Sequence, residues 1–169
     1  MRRTIGLFAA ALLAVSCGYR LRGTGSYLPS HIKRVSIPMF KNLTTRYELD
    51  LRLTQAVINE MTARAKVEVL SEKGQADAVL LGEVLGFRVN PIAFSGEASA
   101  DRYNITITVR IVLRDLVNQK VLFSNPAFTY VKEYEVPEGS DFESLETDAI
   151  TKASEEFART IVVNILEGF

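Results

Sequence analysis

The stretch "YNITITVRIVL" constrains the fold of this chain more than any other segment. Its apolar side chains recur at every second position, at Tyr103, Ile105, Ile107, Val109, Ile111 and Leu113. Between them stand polar side chains such as Thr106 and Thr108. Strict alternation of this kind predicts a β-strand with one buried face and one face open to solvent. Because a long strand with one apolar face has to pack against a second layer, a sheet is expected at the centre of the fold.

Apolar residues at steps of three and four predict two helices elsewhere in the chain. The first covers about residues 46–65, and the second runs nearly to the C-terminus. Thr45 with Glu48, and Ser140 with Glu143, have the spacing of a capping box. A capping box marks the point where a helix begins, so we expect the helices to start at these two places.

Other segments have the composition of strands, namely 35–39, 66–70, 79–89 and 120–134. In the third of these, one buried face is expected to hold Val79, Leu81, Leu85, Phe87 and Val89. Pro126 is expected to mark a bulge, because the parity of the aromatic residues changes across it. The resulting order, β-α-β-β-β-β-α, predicts an α+β two-layer sandwich. Both helices should pack on one face of a mostly antiparallel, mixed sheet of about four strands.

The N-terminal segment has the layout of an export signal. Arg2 and Arg3 precede an uncharged apolar run at 5–15, which is followed by Ser16 and by Cys17, the only cysteine. The run is about half the length needed to cross a bilayer. "LAVSC" resembles the lipobox of bacterial lipoproteins, in which the cysteine sulfur receives diacylglycerol and the signal is cut just before it. A soluble secreted protein with a stray thiol is the alternative.

These features divide the chain into three parts. Residues 1–16 are expected to be a lipoprotein signal peptide, 17–30 a lipid-anchored tether, and 31–169 a single α+β domain. The glycine-rich tether is short, so we expect the domain to stay close to the membrane through its N-terminal lipid anchor.

Composition argues against several classes of protein. Twenty basic and twenty acidic residues leave no formal net charge, so nothing in the overall charge favours nucleic acid. The single histidine, His31, lies beside the tether and is interpreted as a solvated loop residue, and the single thiol is expected to be acylated. The chain therefore has few of the residues that nucleophilic catalysis or a Cys or His metal site requires. We expect no enzyme activity, no cofactor and no metal.

The polar face of the alternating strand supplies the candidate binding residues. It carries Thr106, Thr108, Arg110 and Arg114. Guanidinium groups bind phosphates and carboxylates through paired hydrogen bonds, so an anionic lipid headgroup is a natural ligand beside a membrane. A solvated sheet face with scattered charge explains the same residues equally well.

Four segments together resemble one family: "CGYRLRG", "VSIPMFKN", "ADAVLLGEVLGF" and "ADRYNITITVRIVL". They are similar to the lipopolysaccharide-assembly lipoproteins of the LptE family. The resemblance implies a non-enzymatic outer-membrane lipoprotein that plugs the large β-barrel subunit of the lipopolysaccharide translocon, an LptD-like partner. It also implies that the protein helps the barrel fold and contacts lipopolysaccharide, on the periplasmic side or within the barrel lumen. Cys17 carries over as the lipid attachment site, whereas no lipopolysaccharide-binding arginine does.

A second class of function stays open at this point. The same anchor and sandwich would serve a lipoprotein adaptor or scaffold of another envelope assembly or secretion machine, with no lipopolysaccharide binding. Copurification with a large outer-membrane barrel distinguishes the two.

Overall fold

The computed structural model describes residues 28–70, 73–94, 100–137 and 140–168. The predicted signal peptide and most of the tether, Cys17 included, lie outside the described residues. Leu28 is half-buried and already packs against the core, so the domain includes the last residues of the predicted tether.

Within these ranges the chain forms six strands and two α-helices. In chain order they are β1 (Arg34–Ser36), β2 (Lys41–Asn42), α1 (Leu49–Arg64), β3 (Glu68–Leu70), β4 (Ala78–Phe94), β5 (Ala100–Asp115), β6 (Lys120–Glu135) and α2 (Phe142–Glu167). A short 3₁₀ turn, Lys73–Gln75, precedes β4.

All six strands belong to one mixed sheet. The strand order is β3-β1-β4-β5-β6, and β2 pairs with β4 further along the same edge as β1. The short strands pair in parallel, whereas β4, β5 and β6 form an antiparallel meander. The predicted α+β class and mixed sheet are confirmed, but the sheet has six strands where about four were expected. A two-residue strand such as β2 is too short to show an alternation.

Both helices pack on the same side of the sheet, as predicted. Leu53 of α1 and Phe157 of α2 are fully buried and share one core cluster with Ile107 of β5. The alternation of β5 is confirmed, because five of its apolar residues are buried, Ile105, Ile107, Val109, Ile111 and Leu113. Burial of these side chains between sheet and helices supplies the main stabilising term of the fold.

The predicted facing of β4 is wrong for its first half. Leu80, paired with Leu113, lies in the core cluster, whereas Leu81, paired with Val112, lies on the opposite face. A register shift between Val84 and Gly86 then leaves one extra residue on β4. An inserted residue reverses the parity of everything that follows it. The side chains after the bulge therefore face the helices at odd positions, as predicted.

A second bulge lies in β6, where Pro126 was expected to mark one. Val109 pairs with Phe128 and Ile111 pairs with Asn125, so Pro126 and Ala127 stand against Arg110 alone and β6 has one extra residue. The prediction is confirmed, because the shift keeps Phe123 and Phe128 on the same buried face.

Both predicted helix starts are displaced. Helix α1 begins after Glu48, which has a left-handed φ of 57° and makes no side-chain cap. Helix α2 is capped by Asp141, not Ser140, and the Asp141 carboxylate accepts a hydrogen bond from the Ser144 amide at 3.2 Å. Several polar side chains stand next to one another at both places, so spacing alone does not select the one that caps.

Candidate partner-binding face of the sheet

The side of the sheet opposite the helices is called the open face. It is formed by β4, β5 and β6, and the cross-strand register places on it Leu81, Glu83, Arg88, Thr106, Thr108, Arg110, Val112, Arg114, Val121, Thr129 and Val131. Both described helices pack against the other side, so no described helix covers these residues. The open face is thus a broad sheet surface on which the fold can receive a partner.

The four predicted contact residues all lie on the open face, in one row along β5. Thr106, Thr108 and Arg110 follow at every second position, and Arg114 stands two positions beyond Val112. A strand rises about 3.3 Å per residue, so the Cα atoms of Arg110 and Arg114 lie about 13 Å apart. Two guanidinium groups at this separation suit an extended ligand with several anionic groups better than one isolated phosphate.

Arg110 is already engaged by an acidic neighbour. Its Nη1 donates to Glu83 Oε2 at 2.5 Å across the β4–β5 pair, where the two residues stand directly opposite each other. About half of the Arg110 side chain is exposed, so water screens the pair and its contribution to stability is small. The carboxylate nevertheless neutralises much of the charge that Arg110 would offer to an anion.

Arg114 is the more available cation of the two. Its neighbours across the strands are Val79 and Val121, and its side chain forms no ion pair or hydrogen bond with the described residues. A guanidinium group with apolar neighbours is weakly hydrated and can donate hydrogen bonds to a phosphate.

Arg88 is a cation on this face that the sequence reading missed. It stands opposite Thr106, and its exposed side chain has no hydrogen-bond or ion-pair partner in the described part of the chain. The predicted alternation of this strand puts Phe87 and Val89 on the buried face, and therefore Gly86 and Arg88 on the opposite one. This alternation was the signal that could have placed Arg88 on the open face. Thr108 bridges to Thr129 with 3.2 Å between the two hydroxyl oxygens, which completes a polar patch of hydroxyl groups beside Arg88.

His31 lies in an exposed turn, in agreement with its interpretation as a solvated loop residue, and its side chain also has two polar partners. Its Nε2 lies 2.8 Å from Asp115 Oδ2 and 3.0 Å from Asn118 Nδ2. Only 2% of the Asp115 side chain is exposed. The backbone amides of Val117 and Asn118 donate to Asp115 Oδ1 at 2.8 and 2.9 Å. His31 thereby ties the start of the domain to the β5–β6 turn.

The protonation of Asp115 follows from this geometry. Burial alone raises the pKa of its carboxyl group, but hydrogen bonds from Asn118, His31 and Val117 outweigh burial and hold the pKa well below its ordinary value. Asp115 is therefore a carboxylate at neutral pH. The described partners in this group of hydrogen bonds include no hydroxyl or thiol nucleophile, so the arrangement stabilises the fold and does not resemble a catalytic triad.

A cleft of about 670 Å³ lies between the end of β6 and the first half of α2. Its lining mixes cations and acids, including Arg102, Lys132, Glu133, Asp148 and Lys152. Lys132 donates to Glu156 of α2 at 2.7 Å, which clamps strand to helix. Burial, followed by the charge of Glu146, raises the pKa of Tyr134 in the cleft wall to about 12, so this phenol stays protonated. The cleft has no concentration of one charge that would select a ligand.

Two further properties bear on chemistry and on the membrane. In the described ranges, no three His, Cys, Asp or Glu side chains come together in a way that could hold a metal ion. None of the helices described there combines the length and apolar character of a membrane span.

The sequence of residues 32–165 matches the model of the LptE family, whose description is lipopolysaccharide-assembly. The chain belongs to the LptE family. The resemblance drawn from short motifs is thereby confirmed over most of the domain. A comparison of the sequence with curated proteins finds no match.

Solved structures share the fold of this LptE-family chain at low sequence identity. A DUF330 protein of Xanthomonas campestris is 16% identical, with a TM-score of 0.57 over 83% of this chain and 87% of that one. A hypothetical protein of Chlamydia trachomatis is 14% identical, with a TM-score of 0.54 over 82% and 97%. Lipoprotein B of Nitrosomonas europaea is 14% identical, with a TM-score of 0.51 over 86% and 91%. At these identities the likeness concerns the fold alone.

Proposed function

We propose that this protein is a non-enzymatic lipoprotein of the outer membrane, anchored through Cys17, that acts in lipopolysaccharide assembly. Its partner is a large β-barrel subunit of the LptD-like kind, which the domain plugs and stabilises, and it contacts lipopolysaccharide. Family membership supports the process. The observation that carries the proposed mode of action is the open face, a side of the sheet that neither of the described helices covers.

The size and chemistry of the open face fit a partner that lies along the strands. Strands β4, β5 and β6 have 16 or 17 residues each, which at about 3.3 Å per residue makes the face roughly 50 Å long. Leu81, Val112 and Val131 give it apolar positions between threonines. A surface of this mixture gains free energy when a partner excludes water from it and supplies acceptors for Arg88 and Arg114, the cations without a partner among the described residues.

Lipopolysaccharide contact is assigned to the cations of the same face. Arg114 offers a guanidinium group with no described partner, whereas Arg110 must first leave Glu83. Phosphate oxygens accept two parallel hydrogen bonds from one guanidinium group, and Thr106 and Thr108 can donate from their hydroxyl groups. We therefore expect Arg114 to contribute more to binding than Arg110.

Copurification tests the assignment of the partner. The full-length protein should be expressed in a bacterium that exports and lipidates it, and extracted with mild detergent. It should then copurify with one large outer-membrane barrel. Recovery with a different envelope complex, or as a free monomer, would contradict the barrel assignment and favour the adaptor or scaffold function.

Substitution of Arg114 tests the lipopolysaccharide contact. Arg114→Gln should weaken lipopolysaccharide binding about tenfold, because it removes a charge-assisted hydrogen bond. Arg159→Gln, an exposed arginine on α2, is the matched control and should leave binding unchanged. The effect should shrink as salt screens the exposed charge. Lost barrel association together with unchanged lipopolysaccharide binding would assign the face to the protein partner instead.

A further inference from the structure

The N-terminal segment joins the domain at one particular end of the sheet. His31 is bound to Asp115 at the β5–β6 turn, and the Lys33 amide donates to Asp77 Oδ2 at 3.0 Å in the turn before β4. The Glu68 amide at the start of β3 donates to the Lys33 carbonyl at 2.8 Å. These hydrogen bonds hold the N-terminal segment against the β5–β6 turn, the turn before β4 and the start of β3. We call the surface formed by these segments the anchor end.

The anchor end exposes apolar and basic side chains together. Val117 and Val121 at the β5–β6 turn are 62% and 53% exposed. Three exposed lysines lie at the same end of the sheet and form no ion pair with the described residues: Lys33 before β1, Lys66 before β3 and Lys120 at the start of β6. The acids Asp77 and Asp115 are engaged by Arg34 and His31, which leaves Glu68 as an exposed acid at the strand ends. Glu167 at the end of α2 is exposed as well, so three exposed lysines at this end stand against two exposed glutamates.

The opposite end of the domain carries the reverse charge. Strand β6 ends and α2 begins there, with exposed acids at Glu133, Asp141, Glu143 and Asp148. Arg102, at the same end, is 3.7 Å from Glu135 and so is already partnered. The chain as a whole has no net charge. The difference between the two ends therefore means that exposed lysines and exposed acids are concentrated at opposite ends of the strands.

We propose that the anchor end is a docking surface for a bilayer of anionic phospholipids. Each lysine held near such a surface strengthens binding about fivefold, and short apolar side chains at a tip enter the headgroup region. The inference rests on the proposed lipid anchor. The eleven peptide steps from Cys17 to Leu28 span at most about 40 Å, which keeps this end near the surface that holds the lipid.

Vesicle binding by the unlipidated chain tests the surface apart from anchor and barrel. The core residues of the described chain all lie between Leu28 and Leu166, so a protein of residues 18–169 keeps that core. It should sediment with vesicles of phosphatidylcholine and phosphatidylglycerol, less so as salt is added, and not with phosphatidylcholine alone. The triple variant Lys33→Gln, Lys66→Gln, Lys120→Gln should bind about a hundredfold more weakly.

A matched variant separates position from net charge. Lys41→Gln with Lys152→Gln and Arg159→Gln also removes three exposed cations, none of them at the anchor end, and should change binding by no more than a few-fold. Equal losses in the two triple variants would overturn the proposal, as would a wild-type chain that does not bind anionic vesicles. Loss of a copurifying protein with unchanged vesicle binding would assign the lysines to that protein and overturn it as well.

A fluorophore reports which end meets the lipid. An environment-sensitive label on Val117→Cys should show a blue shift of its emission when anionic vesicles are added. The same label on Ile92→Cys should show no shift, because Ile92 is an exposed residue of β4 far from the anchor end. The reverse pattern would refute the orientation. These results do not depend on the barrel or on lipopolysaccharide, so failed copurification with intact vesicle binding would reject the proposed function alone.

Discussion

Gly82 illustrates how one missing side chain can set a packing distance. A Cβ atom built on Gly82 would lie 2.5 Å from Cγ of Phe40, and that ring is only 2% exposed. Gly86, four residues later on the same strand, is different, because its nearest neighbour would be Thr108 Cβ at 3.8 Å. The buried ring of Phe40 therefore depends on the glycine beneath it.

We expect Gly82→Ala to destabilise the domain by about 1–3 kcal/mol, because overpacking forces the Phe40 ring and its neighbours to shift. Gly86→Ala should stay within about 1 kcal/mol of the wild type. Urea denaturation of both variants measures the difference. Equal stabilities would contradict the close approach of Phe40 to Gly82.

Asp115 predicts an acid-sensitive component of stability. Its folded-state pKa is depressed, so its contribution is fully present above the ordinary aspartate pKa of about 3.9 and is lost as the pH falls below it. The melting temperature should decline over this acidic range, and Asp115→Asn should decline less. Asp77, Asp141 and Glu156, whose pKa values are also lowered, occur in both proteins and cancel in the comparison. Identical declines would show that Asp115 is not responsible.

At the scale of the element, β5 divides the domain into a packed side and an open side. Ile107 is fully buried and pairs with Phe87 and Tyr130 on the core face. Thr106, its neighbour in sequence, faces the opposite side beside Arg88 and Val131. Adjacent residues of one strand thus have entirely different surroundings.

Ile107→Asp should unfold the domain, because a buried unpaired carboxylate costs several kcal/mol, comparable with the whole stability of a small domain. Thr106→Asp should be mild in the isolated protein. Circular dichroism and thermal melting distinguish the two variants. Similar behaviour would mean that the assigned faces of β5 are wrong.

At the scale of the whole molecule, the anchor end and the open face have a defined relation. Strand β4 begins and β5 ends at the anchor end, and both run the full length of the face. In the proposed arrangement the open face therefore begins at the bilayer surface and extends away from it.

The anchor itself is a prediction about Cys17. Intact mass of the protein isolated from membranes should correspond to a chain that begins at Cys17 and carries acyl chains. Cys17→Ala should release a folded protein from the membrane, since the core residues of the described chain begin only at Leu28. A mature protein that starts elsewhere, or one without an acyl increment, would disprove the lipoprotein proposal.

The sequence by itself determined the layers of this protein. Alternation over β5 and helical periodicity over α1 and α2 are local properties, because they follow from the repeat of each element along its own axis. They predicted the α+β sandwich, the buried face of β5 and the common row of Thr106, Thr108, Arg110 and Arg114. The bulge at Pro126 was predicted for an equally local reason, the change in parity of the aromatic residues on either side of it.

Only the tertiary structure decided the contacts between elements. The bulge after Val84 reversed the facing of β4, and the strand register then placed Glu83 opposite Arg110. His31 and Asp115 are 84 residues apart in sequence and still form a hydrogen bond. Such pairings depend on how separate segments align across a sheet, and a change of one residue in register moves every side chain to the other face. The availability of each arginine therefore became known only once its neighbours on the adjacent strands were in place.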